Sequence, residues 1–388
     1  MTSSRTFRSG IYAIEGLNSF ATVIYFNYLY FYFRDQFGFD NKDNLELAAV
    51  IGLVYALASW QAGKFAARFG CFTALKGGFG LMALGLLVGS QLHNVAGEIV
   101  IACLVNIGTC LVWPTLEALV SEGAVAADAV GLYNITWAAT NAFAYFIGGT
   151  LLEKLGYRSI FYVPFLLTLL QLAIVVWLQK KQVPALTREP GSLAPTPPPE
   201  APSAVQARSF KYMGWLANPF AYIGINTLLA VIPGVAAKFH LSPMMAGFTC
   251  SLWCFVRLAM FGLLWVWTGW HYRFRWLATA GGLLALSFGA ILVAPNLPAL
   301  LAAQLFFGAA IGLIYYSSLF YSMDASETKS EHGGIHEAAI GMGNCIGPAV
   351  GAASLQFLPQ VAHSGAIAVS ALLLCGFGGL FAIRRWTR

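Results

Sequence analysis

The chain has 388 residues, 58% of them hydrophobic and only 10% charged, with a formal net charge of +6. Soluble domains carry about 25% charged residues, so a water-exposed surface is excluded and the deficit must face lipid. The 22 basic residues are scattered between apolar blocks and form no dense patch, which excludes nucleic acid as a partner and leaves membrane lipid headgroups as what they meet.

A membrane-crossing helix needs about 20 mainly apolar residues. The chain opens without a cleavable signal, because its first apolar block, 10–33, has 24 residues and is too long for a signal-peptide core. Within that block Glu15, Asn18, Thr22 and Tyr25 step by three or four and share a helix face. A polar stripe in an apolar helix turns toward the bundle interior. There Glu15 is a candidate proton carrier, with Asn18 and Tyr25 beside it along a solute path; the plainer alternative is polar packing.

Blocks 45–63 and 72–92 follow, joined by a basic segment with Lys64 and Arg68. The fourth block, 97–120, carries Glu117 and ends at Glu122; the fifth, 129–152, carries Trp137 and Asn141; the sixth is 159–179. Residues 180–210 then hold seven of the sixteen prolines and form an extended linker. Blocks 213–236 (Asn226), 243–267 (Arg257), 275–294 (after Arg273 and Arg275), 298–322 (Tyr315, then Asp324), 334–357 (Glu337, Asn344, Gly347, Pro348) and 363–383 complete twelve spans. With the N-terminus inside, sixteen Lys and Arg fall on the inner side and five on the outer, so both termini face the cytosol.

Sliding the second half back by about 203 positions lays Tyr315–Asp324 on Trp113–Glu122, Asn344 on Asn141, Gly351 on Gly148 and, at a slightly larger offset, Gly224 on Gly16. Both copies start on the same side, the mark of a parallel repeat that encloses a path near the bilayer midplane. The organisation predicted is a six-helix bundle over 1–179, the linker 180–210 and a second six-helix bundle over 211–388. The fold class is an all-α membrane protein.

Three local patterns carry a family likeness. Gly63-Lys-Phe-Ala-Ala67-Arg68-Phe-Gly70 resembles the Gly-x-x-x-Asp-Arg-x-Gly loop of the major facilitator superfamily, with Ala67 in place of the usual Asp. Gly343-x-x-x-Gly347-Pro348-x-x-Gly351 resembles that family's glycine-proline motif, and Gly156-Tyr157-Arg158-x-x-Phe161 its joint before helix six. The resemblance implies alternating access by rocking of two bundles, with helices one, four, seven and ten lining the cavity.

A charge within a span costs about 2.5–3.5 kcal/mol on insertion scales and marks function by default. Arg257 is the deepest; it either binds an anionic group or serves as counter-ion to a proton-carrying acid, against a packing role on a carbonyl or acid. Glu117 and Glu337 lie nearer the cytosolic surface. Glu122 and Asp324 end matched helices, and with Lys64, Arg68, Arg273 and Arg275 they suggest two ion-pair latches on the cytosolic side. Asn141, Asn344, Gly347 and Pro348 are expected to serve helix packing.

No phosphate-binding loop, nucleophile elbow or metal-ligand spacing occurs, so an enzyme, a cofactor and a metal site are not expected. The function predicted is secondary active transport, by a monomer in the plasma or inner membrane, of a small organic solute, anionic if Arg257 faces the cavity, with H+ as coupling ion. A receptor or assembly protein, or a lipid translocator, on the same fold is the alternative.

Overall fold

The computed structural model describes residues 2–121, 126–181, 203–324 and 330–387. Thirteen helices follow one another: α1 Thr2–Phe37, α2 Asn41–Phe69, α3 Cys71–Gly89, α4 Val95–Ser121, α5 Ala126–Leu155, α6 Ser159–Lys180, α7 Ala204–Lys238, α8 Pro243–Cys250, α9 Leu252–Val266, α10 Phe274–Val293, α11 Leu297–Asp324, α12 Ser330–Phe357 and α13 Ser364–Trp386. Only Ser251 separates α8 from α9, and the stretch Pro243–Val266 is counted as one of ten helices long and apolar enough to cross a membrane. The protein is therefore a multi-pass membrane protein.

Helices α1 and α5 have the length, at 36 and 30 residues, but are not among those ten. The reason is their polarity. Glu15, Asn18, Ser19, Thr22 and Asn27 interrupt α1, and Asn134, Thr136, Thr140 and Asn141 interrupt α5. Most of these side chains are buried against other helices, where a polar atom costs little only if it finds a partner.

Local chemistry sets the helix ends. Asp40 caps α2 through a reciprocal pair, its Oδ1 accepting from Asp43 N at 2.9 Å and Asp43 Oδ2 accepting from Asp40 N at 3.0 Å. By apolar length alone the span begins at 45 and 40–43 reads as a joint; the cap at Asp40 starts the helix at Asn41 instead. The joint between α2 and α3 is the single residue Gly70, at φ +86°, a conformation that favours glycine. Ser203 caps α7, accepting from Gln206 N at 3.2 Å, so the proline-free run 204–210, assigned by sequence to the linker, is the first two turns of α7.

Within the first six helices α1 packs on α5 and α6, α4 on α2 and α3, and α3 on α6; α7 packs on α11, α12 and α13, α11 on α9 and α10, and α13 on α10 and α12. Two long seams join these sets, α2 along α12 and α5 along α8–α9. Glycine makes the seams tight. A Cβ on Gly341 would lie 2.5 Å from the Cα of Ala56, one on Gly52 would strike the backbone of Asn344, and one on Gly149 the carbonyl of Pro243. Gly347 plays the same part between α12 and α7, where a Cβ would sit 2.6 Å from the Ile223 carbonyl oxygen.

Candidate functional site

The polar stripe of α1 splits in two. Glu15 is fully buried, and its two oxygens accept from Ser19 Oγ one turn on (2.8 Å) and from the Tyr133 hydroxyl of α5 (2.9 Å). Both donors are neutral hydroxyls, so no cation balances the carboxyl directly. Asn18 and Tyr25 do not join it. Among the described residues the buried Asn18 amide and Tyr25 hydroxyl have no hydrogen-bond partner, and the Tyr25 ring packs edge-on against Phe26 and Phe161 of α6.

Glu15 reaches an enclosed cavity of about 60 Å³ lined from seven helices: Glu15, Tyr55, Trp113 and Glu117, Tyr133 and Trp137, Tyr222, Tyr315, and Glu337, Ile340 and Asn344. Seen from the sequence, the spans lining it are one, four, seven and ten together with two, five and eleven. Glu337, 4% exposed, accepts a hydrogen bond from the Tyr55 hydroxyl of α2. Three carboxyl groups thus face one small space, and none of the lining residues is basic. A larger open groove of about 460 Å³ runs over α6 at Leu169, Leu172, Ala173, Val176, Trp177 and Lys180. It lies on the outer, apolar surface of the helix and brings no polar groups together.

Arg257 stands behind the cavity wall. Its Nη2 donates to Asn141 Oδ1 at 2.8 Å, and its guanidinium lies 4.4 Å from the Trp137 ring centre and 5.1 Å from that of Trp253. Its Nε is buried without a hydrogen-bond partner among the described residues. Trp137 in turn stacks on Tyr315 at 5.1 Å, and both stack on Phe261. The indole on which the guanidinium rests lines the cavity, and Arg257 itself is not among the lining residues. Asn226 donates to Asn344, and only Asn344 of that pair reaches the cavity. Asn141 and Asn344, expected to serve packing, therefore do different work. The first orients a buried cation across the α5–α9 seam, the second presents a polar edge to the cavity.

Among the latch residues, Lys64 rests on Trp60, Arg68 on Phe69 and Arg275 on Trp276, and Arg273 is exposed at the start of α10. Glu122 and the side chain of Asp324 lie outside the described residues, as does that of His336. The sequence reading did not single out Tyr55, Tyr133 or Ile340. Tyr55 lies in an apolar run where Ser59 is its one polar neighbour at i+4 or i−4, and what recruits it is its partner Glu337, 282 residues away.

A further buried acid, apart from the cavity, holds the opposite end of the first six helices together. Glu98 Oε1 accepts from Tyr32 at 2.8 Å and pairs with Arg158 Nη1 at 3.5 Å, while Arg158 donates to the carbonyls of Gly89 (3.0 Å) and Leu92 (2.7 Å) at the end of α3. This is the Gly156-Tyr157-Arg158-x-x-Phe161 motif at work, tying α3, α4 and α6 while the Phe161 ring packs on Tyr25 and Tyr32.

A long-helix bundle closed around a buried polar cavity between two sets of helices is the architecture of a membrane transporter. The sequence matches the Major Facilitator Superfamily over residues 9–352, and the chain belongs to that family. No curated protein sequence matches it. Among solved structures it resembles an auto-inhibited POT family peptide transporter (TM-score 0.72, 13% identity, 98% of this chain on 97% of that one). It also resembles the human organic anion transporter MFSD10 (TETRAN) (TM-score 0.65, 15% identity, 97% on 99%). A third likeness is to a point mutant of a POT peptide transporter in complex with sulfate (TM-score 0.74, 17% identity, 98% on 94%). At these identities the likeness is one of fold.

Proposed function

We propose that the protein is a secondary active transporter that moves a small organic solute by alternating access, with protons carried by Glu15, Glu117 and Glu337. The observation that carries this reading is the enclosed cavity with three carboxyl groups and no lining base. Three charges cannot stay uncompensated in a desolvated space; protons or a solute must neutralise them. The hydroxyls of Tyr55, Tyr133 and Ser19 then hold the carboxylates in place.

The twelve-span reading takes α8–α9 as one span and adds the polar helices α1 and α5 to the ten apolar ones. Helix pairing supports two bundles, 1–179 and 211–388: α1 with α5 and α6 parallels α7 with α12 and α13, and α2, α3 and α4 parallel α9, α10 and α11. With both termini cytosolic in a plasma or inner membrane, the α2–α12 and α5–α9 seams are the surfaces that part on one side and close on the other. Tyr55–Glu337 and Asn141–Arg257 each cross a seam, so protonation of Glu337 bears directly on one of them.

Purified protein in proteoliposomes with an imposed pH gradient tests the reading. Solute accumulation should follow the gradient, and Glu15→Gln, Glu117→Gln or Glu337→Gln should cut gradient-driven uptake at least tenfold. Full gradient-driven uptake by all three variants would overturn it.

A further inference from the structure

The cavity also specifies the charge of what it holds. Tyr55 donates to one oxygen of Glu337, among the described residues no hydrogen bond is seen to the other, and Glu337 lines the space. Tyr315, 8% exposed, lines the same space with no hydrogen-bond partner for its hydroxyl among the described residues. Around them stand the rings of Trp113, Trp137 and Tyr222. Aromatic faces attract cations and carboxylates repel anions. The buried guanidinium of Arg257 donates to Asn141 and lies over the rings of Trp137 and Trp253, and Arg257 is not among the residues that line the cavity.

We propose that the transported solute is an organic monocation, an amine whose ammonium group sits against Glu337 and Tyr315 while its apolar body lies on the surrounding rings. This inference rests on the transporter reading given above. About 60 Å³ admits an ammonium group with a water or so, so the apolar body enters as the seams part. The expectation of an anionic solute depended on Arg257 facing the cavity, and Arg257 does not line it.

The test compares phenethylammonium with phenethyl alcohol and phenylacetate, and choline with its neutral carbon isostere dimethylbutanol, on full-length protein. Thermal shift reads binding, and uptake into proteoliposomes reads transport. The ammonium compounds should raise the melting temperature and be taken up, while their neutral and anionic counterparts do neither. Glu337→Gln should need at least tenfold more cation for the same shift, and Lys180→Ala, on the outer surface of α6, should change nothing. If Glu337→Gln does not fold, Glu337→Asp and Glu117→Gln carry the same comparison.

Equal or stronger response to phenylacetate or the alcohols, or unaltered cation affinity in every acid variant, overturns the inference. So does the absence of any response to the amines. Gradient-driven uptake of an anionic or neutral compound would sink the cation and leave the transporter standing. Failure of the transporter reading shows instead as gradient-driven uptake that survives in all three acid variants.

Discussion

At the scale of single residues, Arg257 and Asn141 form a pair whose halves are not equivalent. Removing the acceptor leaves a buried charge without the one side chain that accepts from it among the described residues, whereas removing the guanidinium takes charge and bond together. Asn141→Leu is therefore expected to destabilise by about 1–3 kcal/mol and by more than Arg257→Met, and the double variant should melt close to Arg257→Met alone. A double-mutant cycle by thermal denaturation measures this, and additive losses would show the bond to be idle. The sequence announces Arg257 because a charge in an apolar block stands out. It does not announce which way the guanidinium turns, since Asn141 is 116 residues away. Tyr133 is equally silent: a tyrosine in a membrane helix is ordinary packing material, and its role appears only when Glu15, 118 residues distant, comes beside it.

At the scale of helices, the two seams depend on glycine where backbones nearly touch. Gly341→Val would force α12 off Ala56 of α2, with an expected loss of about 1–3 kcal/mol from overpacking and a lower melting temperature; an unchanged melting point would mean that the seam is slack. The α5–α8 seam has an electrostatic end. Glu153 accepts from the Met244 N–H at 2.8 Å and from Ser242, and these bonds hold its carboxyl below the usual carboxylate range. A lowered folded-state value contributes stability above the unfolded value, which for a glutamate is about 4.3, and that stability is lost as pH falls through the folded value. Amides at the start of α8 should thus lose protection, relative to their intrinsic exchange rate, once the pH drops below about 4, and Glu153→Gln should show the lower protection at neutral pH. Exchange that ignores both would remove Glu153 from the seam. Helix positions were legible from apolar length alone. Their ends were not, because Asp40, Ser203 and Gly70 act through cap geometry that hydropathy does not register.

At the scale of the molecule, Lys42 Nζ of α2 donates to Gln356 Oε1 of α12 at 2.8 Å, on the side opposite the chain ends. A cysteine pair at these two positions should crosslink and stop turnover, with reduction restoring it; turnover that survives the crosslink would mean that this seam does not part. The fold and family could be read from composition, span count and three short motifs. The make-up of the cavity could not, since each helix presents several polar residues and only packing decides which face inward, as the division of α1 between Glu15 and the Asn18–Tyr25 pair shows. The enclosed carboxylates have an electrical consequence. A site that crosses the membrane field carries the sum of its glutamates, its bound protons, its solute and Arg257, and each elementary charge left over exchanges about 2.3 kcal/mol with every 100 mV of membrane potential. Under the proposed proton coupling, the ratio of protons to solute would be readable as a current, and a carrier that exchanges one proton for one monocation would run electrically silent.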